Sequence, residues 1–153
     1  MLDWFSPNQI VFSRPQVIWL LQNFELLLDG IWPSDHRKES GYTGSKGKHG
    51  HTAYYEKTKQ VFAELVSRLY RAGPDSFPLL IAYSTELDQQ YYIRDFLARC
   101  LRIDVTELDR RLKYALGYCC GWRRKQISYG RYCIQRRSYE KERARRLVSL
   151  AHR

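Results

Sequence analysis

An all-α fold, a helical body carrying a helix-turn-helix and a basic helical C-terminal extension, is predicted by three observations. Apolar residues return at three- and four-residue spacing along most of the chain. Gly and Pro steps cut that pattern into helix-length pieces. The one apolar segment that could be a strand, 77–83, has no second strand signal to pair with.

The first element is announced by Ser13-Arg14-Pro15-Gln16. It has the S-x-x-Q form of a capping box, with proline in the first turn, where a missing N–H costs nothing. Val17, Leu20, Leu21, Phe24, Leu27 and Leu28 then mark one face of a single helix, which Gly30 and Trp32-Pro33 stop. Trp19 and Trp32, with Trp4 and Phe5, read as packing residues. From Gly30 to His51 the composition turns to Gly, Ser, Lys and His, which predicts a long exposed loop. Thr52 then caps a second helix, with Tyr55, Phe62, Leu65, Val66 and Leu69 inward and the pairs Glu56/Gln60 and Glu64/Arg68 outward. Gly73-Pro74 ends it. Phe77–Tyr83 is expected as a buried helix, followed by helices over 88–101 and 105–119 and by one or two polar, basic helices from Ser128. The organisation expected is a body at 1–87 with its loop at 30–51, a helix-turn-helix at 88–120 and a basic extension at 121–153.

Charge divides the chain unevenly. Residues 110–153 hold 14 Lys and Arg against two acids, a net +12, whereas the first 109 residues hold 12 basic and 14 acidic groups, a net −2. A near-neutral body joined to a strongly basic end points to a polyanionic partner. No apolar run approaches the ~20 residues of a membrane span, so no membrane partner is expected. No basic stretch followed by an apolar one is visible near Met1, so a cytoplasmic location is expected. Cys100, Cys119, Cys120 and Cys133 form no C-x-x-C pair and are expected to be reduced and mostly buried; Arg123 beside Cys119-Cys120 could lower a thiol pKa.

The informative stretch is Phe96–Leu116. Two helices joined by Arg102-Ile103-Asp104 must cross steeply, and Ala98 supplies the small residue such a crossing needs. Leu97, Leu101, Ile103, Leu108, Leu112, Ala115 and Leu116 supply the buried contacts, and Asp104-x-x-Glu107 has the form of a capping box opening the second helix. From Ala98 through Leu116, with Ile103-Asp104 at the turn and Arg111-Leu112-x-x-Ala115-Leu116 beyond, the chain resembles the C-terminal DNA-reading region of sigma factors and the sigma-like activators of bacteriophage late transcription. With its Gly121-Trp122-Arg123-Arg124-Lys125 segment, the whole chain also resembles a phage or prophage protein family. The first resemblance implies that 105–119 is a recognition helix, with Val105, Thr106, Glu107, Asp109, Arg110 and Lys113 toward bases or phosphates and Arg111 beside them. Two of these positions are acids, which departs from a groove-facing cationic set. It further implies double-stranded DNA as partner and RNA polymerase as a second one.

The basic end supplies a second candidate surface: Arg123, Arg124, Lys125, Arg131, Arg136 and Arg137, interleaved with Trp122, Tyr129, Tyr132 and Tyr139. Guanidinium forks pair with phosphate, and aromatic rings stack on bases or brace the guanidinium planes. Enzyme signatures are wanting. Gly41–Lys48 fails the phosphate-loop pattern because residue 46 is lysine. His49-Gly50-His51 with Asp35 and His36 lacks further ligands at metal spacing, and Asp104, Glu107 and Asp109 are accounted for as caps and a helix face. The expected protein is a non-enzymatic DNA-binding regulator of transcription without cofactor or metal, in which a homo-oligomer is allowed. The alternatives are a DNA-packaging factor akin to a small terminase subunit, and an interaction module whose basic face docks acidic protein.

Overall fold

The computed structural model describes residues 10–32, 51–84, 89–121 and 127–151, with the side chains of 51–58 and 90 excepted. All regular structure among them is helical, as expected: α1 (Arg14–Gln22), α2 (Phe24–Leu28), α3 (His51–Arg71), α4 (Ser76–Ser84), α5 (Gln90–Leu101), α6 (Val105–Cys120) and α7 (Tyr129–Ala151), with a short 3-10 turn at Gly73–Asp75.

The capping box at Ser13 forms in both directions: the Gln16 N–H donates to Ser13 Oγ at 3.4 Å and the Ser13 N–H donates to Gln16 Oε1 at 2.6 Å. The single helix expected from there to Leu28 is instead broken at Asn23. Its side-chain amide and its backbone N–H both donate to the Trp19 carbonyl, and this local competition for a helix acceptor bends the chain between α1 and α2. Trp19 and Trp32 meet with ring centroids 5.5 Å apart at the core's edge. α3 already includes His51, so Thr52 lies inside its first turn rather than at its cap. Most of the loop expected at 30–51 lies outside the described residues.

The core is built around α6. Leu108, Leu112, Ala115, Leu116 and Cys119 repeat at helical spacing on its inner side and are buried against α1, α3, α4 and α5, where Val17, Leu21, Leu65 and Leu79 answer them. Each fully buried leucine contributes about 1.5–3 kcal/mol of transfer free energy. The core residues of α1, α3 and α4 and those of α5 and α6 belong to one cluster.

A buried ion pair ties this core to the chain on both sides. Glu64 and Arg68, expected outside, are 8% and 4% exposed. The Arg68 guanidinium donates to Glu64 at 2.9 Å, to the Cys119 carbonyl at 2.9 Å and to the Ile10 carbonyl, and lies 5.1 Å from the Phe12 ring centre. It thereby clasps the segment before α1 to the end of α6, where the Phe12 N–H also donates to the Cys120 carbonyl at 3.0 Å. Gly121 sits beside it at φ 87°, and a Cβ there would come within 2.7 Å of Arg68 Nη1. The i,i+4 spacing that marks a surface pair is therefore used here to neutralise a charge inside the fold.

All four cysteines are free: Cys119 is buried, Cys120 and Cys133 are half-buried and Cys100 is exposed. The lowered thiol pKa expected at Cys119-Cys120 is not found. Burial pushes Cys119 up to about 12 and raises Cys120 as well, which outweighs the pull of Arg68 on both.

Candidate nucleic-acid interface

The two helices of the resemblance, α5 and α6, are joined by a three-residue turn. α5 ends on Arg102 in the left-handed region, φ 55° and ψ 44°, and the Ile103 N–H returns to the Ala98 carbonyl at 3.1 Å, closing the turn before Asp104 starts α6. Ala98 is 3% exposed, in line with its expected place under the crossing. Leu97 is buried and Ile103 half-buried, but Leu101 is 39% exposed, because the left-handed turn directs the last residue of α5 away from α6.

The opening turn of α6 differs from the expectation in a way that bears on its chemistry. Asp104 is the N-cap residue, yet its side chain makes no capping hydrogen bond, and Glu107 is engaged elsewhere. It accepts from Arg110 and, at 3.3 Å, from Arg111. The Arg110 hydrogen bond holds the Glu107 carboxyl below the usual carboxylate range against the upward push of burial. Arg111 also lies 4.0 Å from Asp75, Arg94 of α5 lies 3.7 Å from Asp109, and Lys113 donates to Glu140 of α7 at 2.9 Å. Of the four positions expected to read DNA, Thr106 is exposed, whereas Arg110, Arg111 and Lys113 are each already paired with a carboxylate.

Among the described residues of the basic end the regular structure is one helix, α7, and its two halves have different surroundings. Its first half docks on α6. Tyr132 is 1% exposed and sits over Gly117, where any Cβ would collide with the Tyr132 hydroxyl. Tyr118 meets Tyr129 and Tyr132 edge-on at 5.3 and 5.5 Å, and its hydroxyl donates to the Ile127 carbonyl at 2.9 Å. Tyr129 donates to Asp75 at 2.6 Å, and Tyr114 donates to Glu140 at 2.8 Å. Residues 127–132 lie against Tyr118 while Glu140 lies against Lys113 and Tyr114, so α7 runs back antiparallel to α6, toward its N-terminal end. The second half, 141–151, is exposed on all sides.

Helical spacing sorts the cations of α7 onto two faces. Arg136 turns inward, its Nε donating to the Tyr132 hydroxyl at 3.1 Å. Arg137, Lys141 and Arg145 fall at i, i+4 and i+8 on the outer face, about 6 Å apart along the axis, with Arg131 one turn and a half earlier. All four are exposed, and among the described residues none of them is in an ion pair. Arg131, Arg136 and Arg137 of the expected phosphate-binding set thus lie on α7 with different orientations; Arg123, Arg124 and Lys125 lie outside the described residues. Lys141 and Arg145 were not singled out by the sequence, although their four-residue spacing from Arg137 was the signal. No group of His, Cys, Asp and Glu suited to a metal occurs among the described residues, and Asp35, His36 and His49 lie outside them.

Compared with protein-family models, with curated proteins and with solved structures, the chain matches none. No described helix is long and apolar enough to cross a membrane.

Proposed function

We propose that this chain binds double-stranded DNA, with α7 as the element that grips phosphate. The observation that carries the reading is the outer row Arg137, Lys141 and Arg145: three exposed cations on one face of one helix, none of them in an ion pair among the described residues. A row of this kind neutralises successive phosphates and releases their counterions. The cations of α6 are spent within the protein, so α6 brings shape and its exposed Val105 and Thr106 rather than charge. The antiparallel course of α7 carries the row toward the end of the molecule where α6 begins, which supports one continuous contact surface. The likeness of 98–116 to sigma-type DNA-reading regions supports a transcription regulator of phage or prophage type, for which RNA polymerase is the second partner.

Binding of the purified chain to random duplex DNA, followed by fluorescence anisotropy from about 50 to 300 mM salt, tests the reading. A log–log slope of roughly −4 or steeper is expected, and Lys141→Gln with Arg145→Gln should flatten it by about 2 while leaving the fold intact. An unchanged slope in the double variant removes α7 from the interface. Absence of binding at the lowest salt overturns the DNA reading and leaves an acidic protein as the partner.

A further inference from the structure

Under the inner face of α7 lies an open cleft of about 460 Å³, walled by α6 and by the first turn of α1. Its lining is cationic on three sides: Arg14 from the start of α1, Arg136 and Arg143 two turns apart on α7, and Lys113 from α6. The one carboxylate in it, Glu140, is already engaged by Lys113 at 2.9 Å and by the Tyr114 hydroxyl at 2.8 Å. Arg14, Arg136 and Arg143 are in no ion pair among the described residues, so three guanidinium groups line a concavity whose described walls hold no free acid.

The guanidinium groups are not merely neighbours in a list of charges. Arg136 is fixed by its Nε hydrogen bond to Tyr132 and by stacking 5.5 Å over that ring, which leaves its two terminal amino groups to a ligand. Arg14 and Arg136 both line the cleft together with the Tyr132 ring. Arg14 stands at the first helical position of α1, at the positive end of its dipole. Tyr139 on the rim is 57% exposed and offers a ring face.

We infer that this cleft binds a terminal phosphate monoester, its oxygens held by Arg14, Arg136 and Arg143 and the attached body laid against Tyr139. A monoester carries close to two negative charges and three terminal oxygens, which matches a concave set of guanidinium forks; a backbone phosphodiester has only one charge and two terminal oxygens. Two sources share this chemistry, a free nucleoside monophosphate and the 5′-phosphorylated end of a strand. The site is separate from the outer row of α7, so duplex binding can fail without affecting it.

Isothermal titration of the full chain with AMP, adenosine, and one oligonucleotide bearing either a 5′-phosphate or a 5′-hydroxyl tests the site. AMP is expected to bind and adenosine not; a preference for the phosphorylated oligonucleotide over AMP identifies the strand end as the source, and equal or weaker binding identifies the free nucleotide. Arg14→Gln and Arg143→Gln, both exposed in the parent, should each weaken the phosphate-dependent binding about tenfold, whereas Arg99→Gln on α5 should not change it. Equal affinity for AMP and adenosine, no binding of either phosphorylated probe, or full affinity in both cleft variants would overturn the inference.

Discussion

The two halves of α7 have opposite environments: the first carries three tyrosines and is docked, the second carries none and is exposed. Residues 129–140 are held by a ring cluster with Tyr118, by the bonds of Glu140 to Lys113 and Tyr114 of α6 and by that of Tyr129 to Asp75, whereas residues 141–151 are exposed at every position, including Leu147, Val148 and Leu150 at 57–65%. An isolated helix of eleven residues is marginal in water, so the second half persists as helix because the first half supplies its nucleus. The difference teaches that the docked half sets stability and the position of the inner cations, while the exposed half contributes surface and charge.

The strongest way to break that division is Tyr132→Ala. Removing the buried ring above Gly117 leaves a cavity that Gly117 cannot fill, and a loss of about 3 kcal/mol is expected, read as a lowered chemical-denaturation midpoint. A variant as stable as the parent would mean that α7 is not docked as described. Gly117→Val attacks the same contact from α6 and should cost a comparable amount, because the new side chain displaces the Tyr132 hydroxyl.

Smaller effects attach to Glu140. Glu140→Gln keeps an acceptor for Tyr114 but loses the charge on Lys113, and at this half-exposed site about 0.5–1 kcal/mol is expected. The same carboxylate gives the docked half its pH dependence. Hydrogen bonds from Lys113 and Tyr114 hold the Glu140 carboxyl below its ordinary 4.5, so its contribution is complete above that value and is lost as pH falls through the lowered one. Amide exchange across 129–140 should therefore quicken relative to 105–120 as the pH is taken below the ordinary carboxyl value of 4.5 in the parent, and this step should be absent in Glu140→Gln.

The smallest effect is expected in the second half. Leu147→Ser and Val148→Ser should change stability by no more than about 0.5 kcal/mol, since both side chains are more than half exposed. A loss above about 1 kcal/mol, or a change in sedimentation, would show that this half is covered in solution by a second copy.

Much of the fold was legible because helices announce themselves locally. The Ser13 capping box, the Gly73-Pro74 stop, the leucine spacing of α6 and the three-residue turn after Leu101 all depend on neighbours within four residues, and each was found as read. Where distant residues intervened, the reading failed. Glu64 and Arg68 have the spacing of a surface pair, and only the convergence of Ile10, Phe12 and Cys119 on that point places them inside. Glu107 has the spacing of a capping box, yet two arginines one turn on compete successfully for its carboxylate. The candidate site was legible in its composition and not in its geometry: arginine density marked the basic end, but which arginines face outward depends on the face α7 turns to α6.

The sequence by itself determined that this protein is helical, that its ends differ in charge, and that two of its helices meet at a tight turn, because periodicity, capping and net charge are properties of short stretches. Tertiary structure decided which cations are available. Packing of Tyr132 on Gly117 fixes the rotation of α7, and that rotation sends Arg137, Lys141 and Arg145 outward and Arg136 and Arg143 into the cleft, whereas the fold brings Asp75 to Arg111 and Glu140 to Lys113, and only Arg110 is paired wholly within its own helix.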